Sequence, residues 1–234
     1  MISTIARDGP VQSGNLMAEV IDLHSGDTES HLNQALEWIR AGYVIAAPLE
    51  NGYVLLADAF VHDAVRTIHA IRGDDLGVAS QVLVGSVDVL DGIARDISES
   101  ARTLMSKFWP GQISFNILPS HGLSWDLGDE ARLGYICVRV PSQGFVLDLV
   151  RKSGPLAVAS VASAGSPPIL KSEDIHVSAG AVQGIFSIGE VAPAPFSTLV
   201  AANRSTLAVL REGAISLMEL QHVTPEISGP KSAI

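Results

Sequence analysis

The stretch KFWPGQISFNIL, Lys107–Leu118, decides the fold that the sequence predicts. Apolar residues recur at helical spacing just before it, and Pro110 lacks the amide that a further helical turn needs. The apolar run Gln112–Leu118 that follows the Pro-Gly corner is typical of a strand buried on both faces. The segment therefore predicts a helix that ends at a tight corner and leads directly into a strand.

Three other segments show similar buried strands and small-residue turns. They are PLENGYVLL at Pro48–Leu56, YICVRVP at Tyr135–Pro141 and GPLAVASVASAGSPP at Gly154–Pro168. Amphipathic stripes lie between them and before them, including one that predicts a helix over residues 29–41. Helices that alternate with continuous Val, Ile and Ala runs predict an α/β protein with a largely buried sheet.

The composition limits the classes of protein that remain. The 234 residues are 47% hydrophobic, yet no apolar run approaches the length of a membrane-spanning helix, so we expect no membrane association. The formal net charge of −10 argues against a general nucleic-acid coat protein, because such proteins need a positive surface. The single cysteine, Cys137, lies in an apolar run and is expected to be a structural thiol. These features fit a cytoplasmic protein.

We expect one domain, because no internal repeat and no Pro/Ser-rich linker divides the chain. Residues 1–17 have no apolar core behind Arg7 and are expected to be a disordered lead rather than a signal peptide. Residues 18–223 form the expected domain, and residues 224–234 are expected to be a flexible tail.

Local patterns predict further boundaries. Asp96 and Glu99 have the spacing of a capping box, which predicts a helix that opens at Asp96. The segment Glu173–Val182 is expected to be helical. The runs Ser197–Ala202 and Thr206–Arg211 predict a hairpin.

Standard catalytic and nucleotide-binding motifs are absent. The sequence has no Walker A loop, no GxGxxG after a strand, and no HExxH, CxxC or GxSxG. His62 and His69 lie seven residues apart on one predicted helix, but without a nearby cysteine or acidic partner we predict no protein-bound metal.

Arginines and hydroxyls close to strand ends remain as candidate ligands of an anion. In an open α/β sheet, ligands bind where strand ends and loops converge. Arg72 and Arg139 could hold phosphate or carboxylate with paired donors, and Ser160 and Ser197 could supply hydroxyls. Taken singly, each also has a simple structural explanation as a solvated arginine or a turn serine.

The joint order of several segments resembles the YrdC-like family, which contains the threonylcarbamoyl-AMP synthases. The resemblance spans roughly residues 30–218, and FWPG followed by VRVP at this spacing is its most specific part. The segments are Ala47-Pro48, FWPG at Phe108–Gly111, VRVP at Val138–Pro141, GPLA with S-x-x-x-x-G at Gly154–Gly165, Ser197-Thr198 and LREGAI at Leu210–Ile215. The family implies an open, twisted, mixed sheet flanked by helices around a concave cavity.

The resemblance also implies a reaction and its participants. The family's synthases join L-threonine, bicarbonate and ATP into threonylcarbamoyl-adenylate and release pyrophosphate, with magnesium arriving on ATP. The expected partner is a separate transferase complex that modifies adenosine 37 of certain tRNAs. Weak binding of RNA by this chain is a further expectation. The nucleotide or its phosphates would contact Arg72, Arg139, Ser160, Ser197 and Arg211, and the threonine side would comprise Glu50, Tyr53 and Ser114.

The sequence departs from the family's substrate motifs. The P-T-D-T-x-Y-G-L loop falls on Pro48–Leu55, where both threonines are lost and Leu49 replaces the first. The K-x-R motif falls on residues 72–74, where Asp74 replaces the second cation, and the S-x-N motif ends in Ala162. An acid beside a polyphosphate would cost on the order of a few kcal/mol. The chain is thus expected to be a divergent synthase or, alternatively, a non-catalytic paralogue that binds a nucleotide, RNA or protein.

Overall fold

The computed structural model describes residues 18–177 and 180–230, so the expected lead over residues 1–17 lies outside the described part. The strands are β1 (Glu19–Asp22), β2 (Ile45–Leu49), β3 (Gly52–Asp58), β4 (Gln81–Leu83), β5 (Ala94–Arg95), β6 (Ile113–Pro119), β7 (Ile136–Arg139), β8 (Leu156–Ser160), β9 (Gly184–Ser187), β10 (Thr198–Ala202) and β11 (Leu207–Arg211). The helices are α1 (Thr28–Arg40), α2 (His62–Arg72), α3 (Leu90–Ile93), α4 (Glu99–Phe108), α5 (Phe145–Ser153) and α6 (Leu217–Val223).

The strands form one open mixed sheet. Its order is β1-β9-β2-β3-β8-β4-β7-β6-β10-β11, and β5 pairs with β6 beside this path. The pairs β1/β9, β2/β9, β4/β7 and β6/β10 are parallel, whereas β2/β3, β3/β8, β4/β8, β6/β7 and β10/β11 are antiparallel. This arrangement confirms the α/β class and the mixed sheet with flanking helices that the sequence predicted.

Apolar stripes on the helices cover the sheet. Leu32, Ala35 and Ile39 of α1 are buried, at the spacing of one helical face, and both α1 and α2 pack against β3. Residues 52–57 of β3 are buried. Burying a side chain such as Ile39 contributes roughly 1.5–3 kcal/mol, so these faces hold the helices on the sheet.

The Pro-Gly corner joins α4 to β6 as the sequence predicted. Trp109 is buried, its Nε1 donates to the Ile113 carbonyl at 2.8 Å, and its ring meets Phe115 edge to face at 5.4 Å between centroids. The Trp109–Pro110 peptide bond is cis. The amide of Gly111 donates to the Val140 carbonyl at 3.0 Å, which ties the corner to the segment after β7.

Two helix predictions need correction. Asp96 has a φ of +57° and does not cap α4; the cap is Ser98, whose Oγ accepts from the Ala101 amide at 3.3 Å. The helix expected over Glu173–Val182 is replaced, up to residue 177, by one 3-10 turn at Ser172–Asp174. Gly180, inside the second predicted helix, has a φ of +83°, a left-handed conformation that does not continue an α-helix.

The flexible tail expected from residue 224 also needs correction. Ile227 is 1% exposed, and Ser228 bonds to β11 through two backbone contacts. Its carbonyl accepts from the Val209 amide at 2.9 Å, and its amide donates to the Leu207 carbonyl at 3.1 Å. The segment from 224 to 228 therefore belongs to the folded part, because an edge strand offers unpaired backbone groups that another segment can satisfy.

No helix of the described residues has the length and the apolar character that crossing a bilayer requires.

Candidate functional site

A cavity of about 160 Å³ lies over the middle of the sheet. It extends from the β2–β3 turn across β8, β4 and β7 to the residues that precede β10. Its lining consists of Leu49, Asn51, Gly52, Tyr53, Val54, Gln81, Arg139, Val158, Ala159, Ser160, Pro168, Phe196, Ser197 and Arg211. The fold thus brings together five of the residues singled out from the sequence, namely Tyr53, Arg139, Ser160, Ser197 and Arg211.

The lining of this cavity is positively charged. It contains two guanidinium groups, from Arg139 and Arg211, and no carboxylate. The whole chain carries a formal charge of −10, so the cavity differs in sign from the molecule around it. A concave, partly desolvated surface with this charge favours an anionic ligand, since Coulomb attraction weakens less there than in open water.

Arg139 is the buried cation of the cavity. It ends β7, is 4% exposed, and donates from Nη2 to Glu50 Oε2 at 3.1 Å. Burial lowers the pKa of Arg139, and the charge of Glu50 opposes that shift. The buried Nε has no hydrogen-bond partner among the described residues. A buried guanidinium with an unused donor is suited to an oxyanion.

Glu50 lies outside the cavity and supports Arg139. Its Oε1 accepts from the Ser142 amide at 2.7 Å, and it lines a neighbouring hollow with Ser142 and Phe145. Burial raises the pKa of Glu50, but the charge of Arg139 and the Ser142 amide outweigh burial and hold this pKa below its ordinary value. Its predicted place on the threonine side stays a prediction.

A chain of polar side chains runs beneath the cavity wall. Ser197 lines the cavity, and its Oγ lies 2.9 Å from the Oγ of Ser114, which is buried. Gln81 Nε2 donates to Ser114 Oγ at 2.7 Å and approaches Cys137 Sγ at 3.4 Å. Burial raises the pKa of the Cys137 thiol to about 11, so this cysteine stays protonated at neutral pH and is a poor nucleophile.

Arg211 and Phe196 flank the mouth of the cavity. The guanidinium carbon of Arg211 lies 5.7 Å from the centroid of the Phe196 ring, and Nη2 donates to the Ser197 carbonyl at 3.0 Å. Phe196 is 53% exposed. This exposed ring offers a planar surface on which a heterocyclic base can stack.

Tyr53 contributes to the cavity wall, but its hydroxyl is hydrogen-bonded to backbone groups of the protein. The hydroxyl accepts from the Ile188 amide at 3.0 Å and donates to the Gly189 carbonyl at 3.1 Å. The side chain is fully buried. Tyr53 therefore joins β3 to the loop after β9, and its predicted contact with a ligand stays a prediction.

Arg72 is not part of the lining. Its Nε donates to both carboxylate oxygens of Asp74, at 3.1 and 3.0 Å, and its Nη1 donates to the carbonyls of Ser160 and Ala162, at 2.6 and 2.7 Å. The side chain of Asp74 is 5% exposed and faces Arg72. The repulsion expected from an acid beside a polyphosphate therefore does not arise, because Arg72 neutralises Asp74 away from the cavity wall.

No group of three or more His, Cys, Asp and Glu side chains within residues 18–177 and 180–230 is placed to hold a metal ion. His62 Nε2 lies 3.4 Å from the Ser124 carbonyl. His69 has an acidic partner that sequence analysis did not find, Asp74, at 2.9 Å. The two histidines therefore have separate structural partners.

Among the lining residues that sequence analysis did not propose for the site are Asn51, Gln81, Pro168 and Phe196. Asn51 lies in a predicted turn and Pro168 ends a small-residue segment, so both carried a weak local signal. Gln81 and Phe196 carried none. Gln81 reaches the cavity only because β4 pairs with both β7 and β8, which is a long-range outcome of the fold.

Comparison with known proteins identifies relatives over most of the chain. A family model described as Sua5_yciO_yrdC, telomere recombination, matches residues 37–213. A putative threonylcarbamoyl-AMP synthase of Mycobacterium tuberculosis is 30% identical over 209 residues, which cover 88% of this chain and 95% of the relative. The threonylcarbamoyl-AMP synthase of Bacillus subtilis is 29% identical over 197 residues, which cover 83% of this chain and 57% of that relative.

Solved structures show the same fold. Pyrococcus abyssi Sua5 complexed with L-threonine superposes with a TM-score of 0.79 at 25% identity and covers 92% of this chain. This chain spans 62% of the length of that protein. Escherichia coli YciO superposes with a TM-score of 0.74 at 24% identity, covering 87% of this chain and 98% of YciO, and shows the fold alone.

Proposed function

The chain belongs to the Sua5, YciO and YrdC family, and from this membership we propose that it is an L-threonylcarbamoyladenylate synthase. The reaction joins L-threonine, bicarbonate and ATP into threonylcarbamoyl-AMP and releases pyrophosphate and water. The observation that carries the proposal is the positive cavity, whose lining includes Arg139 and Arg211 and no carboxylate; Glu50 pairs with Arg139 from outside this lining. Relatives named threonylcarbamoyl-AMP synthase over most of the chain support the same reaction.

The proposed nucleotide site follows from the chemistry of the lining. Arg139 and Arg211 attract the phosphates, Ser160 and Ser197 supply hydroxyls, and the exposed ring of Phe196 offers a stacking surface for adenine. Magnesium would enter as part of the ATP substrate. Because the lining holds no carboxylate, phosphate oxygens and water are its expected ligands there.

The threonine side is proposed next to Arg139. Glu50 and Ser114 do not line the cavity, so they act on a ligand through the residues that they hold, Arg139 and Ser197. Tyr53 lines the cavity wall and is held there by the hydrogen bonds of its hydroxyl to the loop after β9. A carboxylate such as that of threonine matches the unused donor of Arg139.

The biological setting remains part of the proposal. We place the reaction in the cytoplasm, with a separate transferase complex that transfers the threonylcarbamoyl group to adenosine 37 of tRNA. The net charge of −10 disfavours extensive RNA contact by this chain itself, so weak RNA binding would be confined to a small surface.

The test is pyrophosphate release by the purified chain. Release should require L-threonine, bicarbonate and Mg·ATP together and should drop when any one is omitted. Arg139→Ala should lower nucleotide affinity by about 10- to 100-fold, because it removes a buried charged donor, whereas Arg211→Ala should have a smaller effect because its charge is solvent-screened. Release that stays at background at high enzyme concentration would exclude the synthase activity.

A second candidate is a non-catalytic paralogue that binds a nucleotide, RNA or protein. It is favoured by the commitment of Arg72 to protein acceptors and by Ala162, which offers no amide side chain to a ligand. Calorimetric titration with ATP, AMP and a short RNA separates the candidates. Nucleotide binding without threonine-dependent pyrophosphate release is the result expected of the paralogue.

A further inference from the structure

The segment Ser160–Ala162 at the edge of the cavity is held by one arginine. Arg72 Nη1 donates to both the Ser160 and the Ala162 carbonyls, at 2.6 and 2.7 Å, and the Arg72 carbonyl accepts from the Ala164 amide at 3.0 Å. Ser160 lines the cavity, and its Oγ accepts from the Ala162 amide at 3.2 Å. Three hydrogen bonds to Arg72 therefore fix the backbone course of this segment.

Arg72 is in turn held in place by Asp74. Both carboxylate oxygens of Asp74 accept from Nε, and the side chains are only 16% and 5% exposed for Arg72 and Asp74. Gly73 between them ends α2 in the left-handed conformation, with φ of +64°, which turns the chain so that the two side chains meet. The pair is short-range in sequence and largely buried.

A third side chain completes the support. His69 Nδ1 donates to Asp74 at 2.9 Å, because a carboxylate can only accept, and its Nε2 lies 2.8 Å from the Leu127 carbonyl. Gly128 permits this approach, since a Cβ there would lie 2.2 Å from the His69 Nε2. Asp74 thus links the cavity segment to the loop around residue 127.

We propose that Arg72 and Asp74 form a clamp that positions Ser160–Ala162 for nucleotide binding, and that neither side chain contacts the nucleotide. The inference deepens the proposed function and rests on it for its kinetic readout. It assigns a role to the departure from K-x-R at residues 72–74: the second position carries an acid because the arginine at the first position needs an anionic anchor. Asp74 and Arg72 are positioning residues.

The discriminating variants are Asp74→Asn and Arg72→Lys. Asn keeps the size of Asp74 but removes the charge that anchors Arg72. Lys keeps the positive charge of Arg72 but loses the planar fork that spans the carboxylate and two carbonyls. If Arg72 instead bound phosphate directly, Lys would serve nearly as well. The matched control is Asp75→Asn, which removes the same charge from an exposed neighbour.

In Asp74→Asn and Arg72→Lys we expect the KM for ATP to rise about tenfold and kcat to change by less than twofold. A displaced binding segment weakens the binding of ATP equally in the ground state and in the transition state, so KM changes and kcat does not. Asp75→Asn should match the parent. A parent-like KM in either clamp variant would overturn the proposal. Should Asp74→Asn fail to fold, Arg72→Lys carries the same comparison.

Amide hydrogen exchange gives a readout that does not depend on activity. In the clamp variants the Ala162 and Ala164 amides should exchange at least tenfold faster than in the parent, while amides of β10 should not change. Unchanged exchange at Ala162 and Ala164 would refute the clamp even in a chain that makes no product. Faster exchange in a chain that releases no pyrophosphate would retain the clamp and reject only the synthase proposal.

Discussion

The ion pair between Glu50 and Arg139 determines how much positive charge the cavity offers to a ligand. Removing either partner leaves a buried charge without its counterion, which costs more than the pair itself contributes. Arg139 lines the cavity and Glu50 does not, so Glu50 acts on the site only through Arg139. The pair also makes stability depend on pH.

Glu50→Gln should lower the free energy of unfolding by about 1–3 kcal/mol at pH 7, because it removes the charge that faces Arg139. The folded-state pKa of Glu50 lies below its ordinary value of 4.5. Its carboxylate therefore stabilises the fold above about that pH, and this contribution is lost as the pH falls through the lower folded-state pKa. Urea unfolding from pH 3 to pH 7 measures the difference between variant and parent.

The matched control for this prediction is Glu37→Gln, a change of the same kind at an exposed position of α1. Its effect should stay within about 0.5 kcal/mol across the pH range. A Glu50→Gln variant whose deficit is as large at pH 3 as at pH 7 would show that the charge of Glu50 does not stabilise the folded state.

Among the structural elements, the corner between α4 and β6 fixes the direction in which the central sheet continues. The corner is tight because Gly111 lies directly over the last turn of the helix. A Cβ at Gly111 would lie 2.4 Å from the Phe108 carbonyl oxygen, a distance at which backbone must move. The next strand carries Ser114, which supports Ser197 in the cavity wall, so a shift here reaches the site.

Gly111→Ala should therefore destabilise the protein by about 2 kcal/mol or more and lower the melting temperature by several degrees. Gly92→Ala in α3 is the control, because a Cβ at Gly92 meets nothing within 4 Å and alanine favours a helix. Differential scanning fluorimetry compares the two variants with the parent. Equal melting temperatures for all three would show that the corner can relax without cost.

In the molecule as a whole, the mixed sheet has β1 at one edge and β11 at the other. The segment from 224 to 228 covers part of the β11 edge by bonding to Leu207 and Val209 and by burying Ile227. Edge strands with free backbone groups promote association between molecules. This segment therefore contributes both stability and protection of the sheet.

A chain that ends at Val223 should be less stable than the full chain by about 2–4 kcal/mol, the cost of losing a buried isoleucine and two edge hydrogen bonds. It should also associate at lower concentration. A chain that ends at Pro230 is the control and should behave as the parent does. Chemical unfolding and light scattering measure the two effects, and identical behaviour of both truncations would contradict the role given to this segment.

Much of the architecture was predictable from local patterns. The stripe in α1, the corner after α4 and the hairpin of β10 and β11 all follow from periodicity and from Pro and Gly, which act within a few residues. The helix expected at Glu173–Val182 was wrong, and Gly180 within it adopts a left-handed φ of +83°. For the site, Arg139, Ser160, Ser197 and Arg211 were predicted and do meet in one cavity, whereas Gln81 and Phe196 gave no local signal.

The sequence by itself determined the α/β fold, the family and the set of cations available to bind an anion, because strand burial, helical periodicity and motif order are properties of neighbouring residues. Only the tertiary structure decided which charges meet. Glu50 pairs with Arg139, which lies 89 positions away in the sequence. Arg72 does not line the cavity and donates instead to the carbonyl of Ser160, 88 positions away. Electrostatic energy depends on distance and burial, and the folded chain alone sets both.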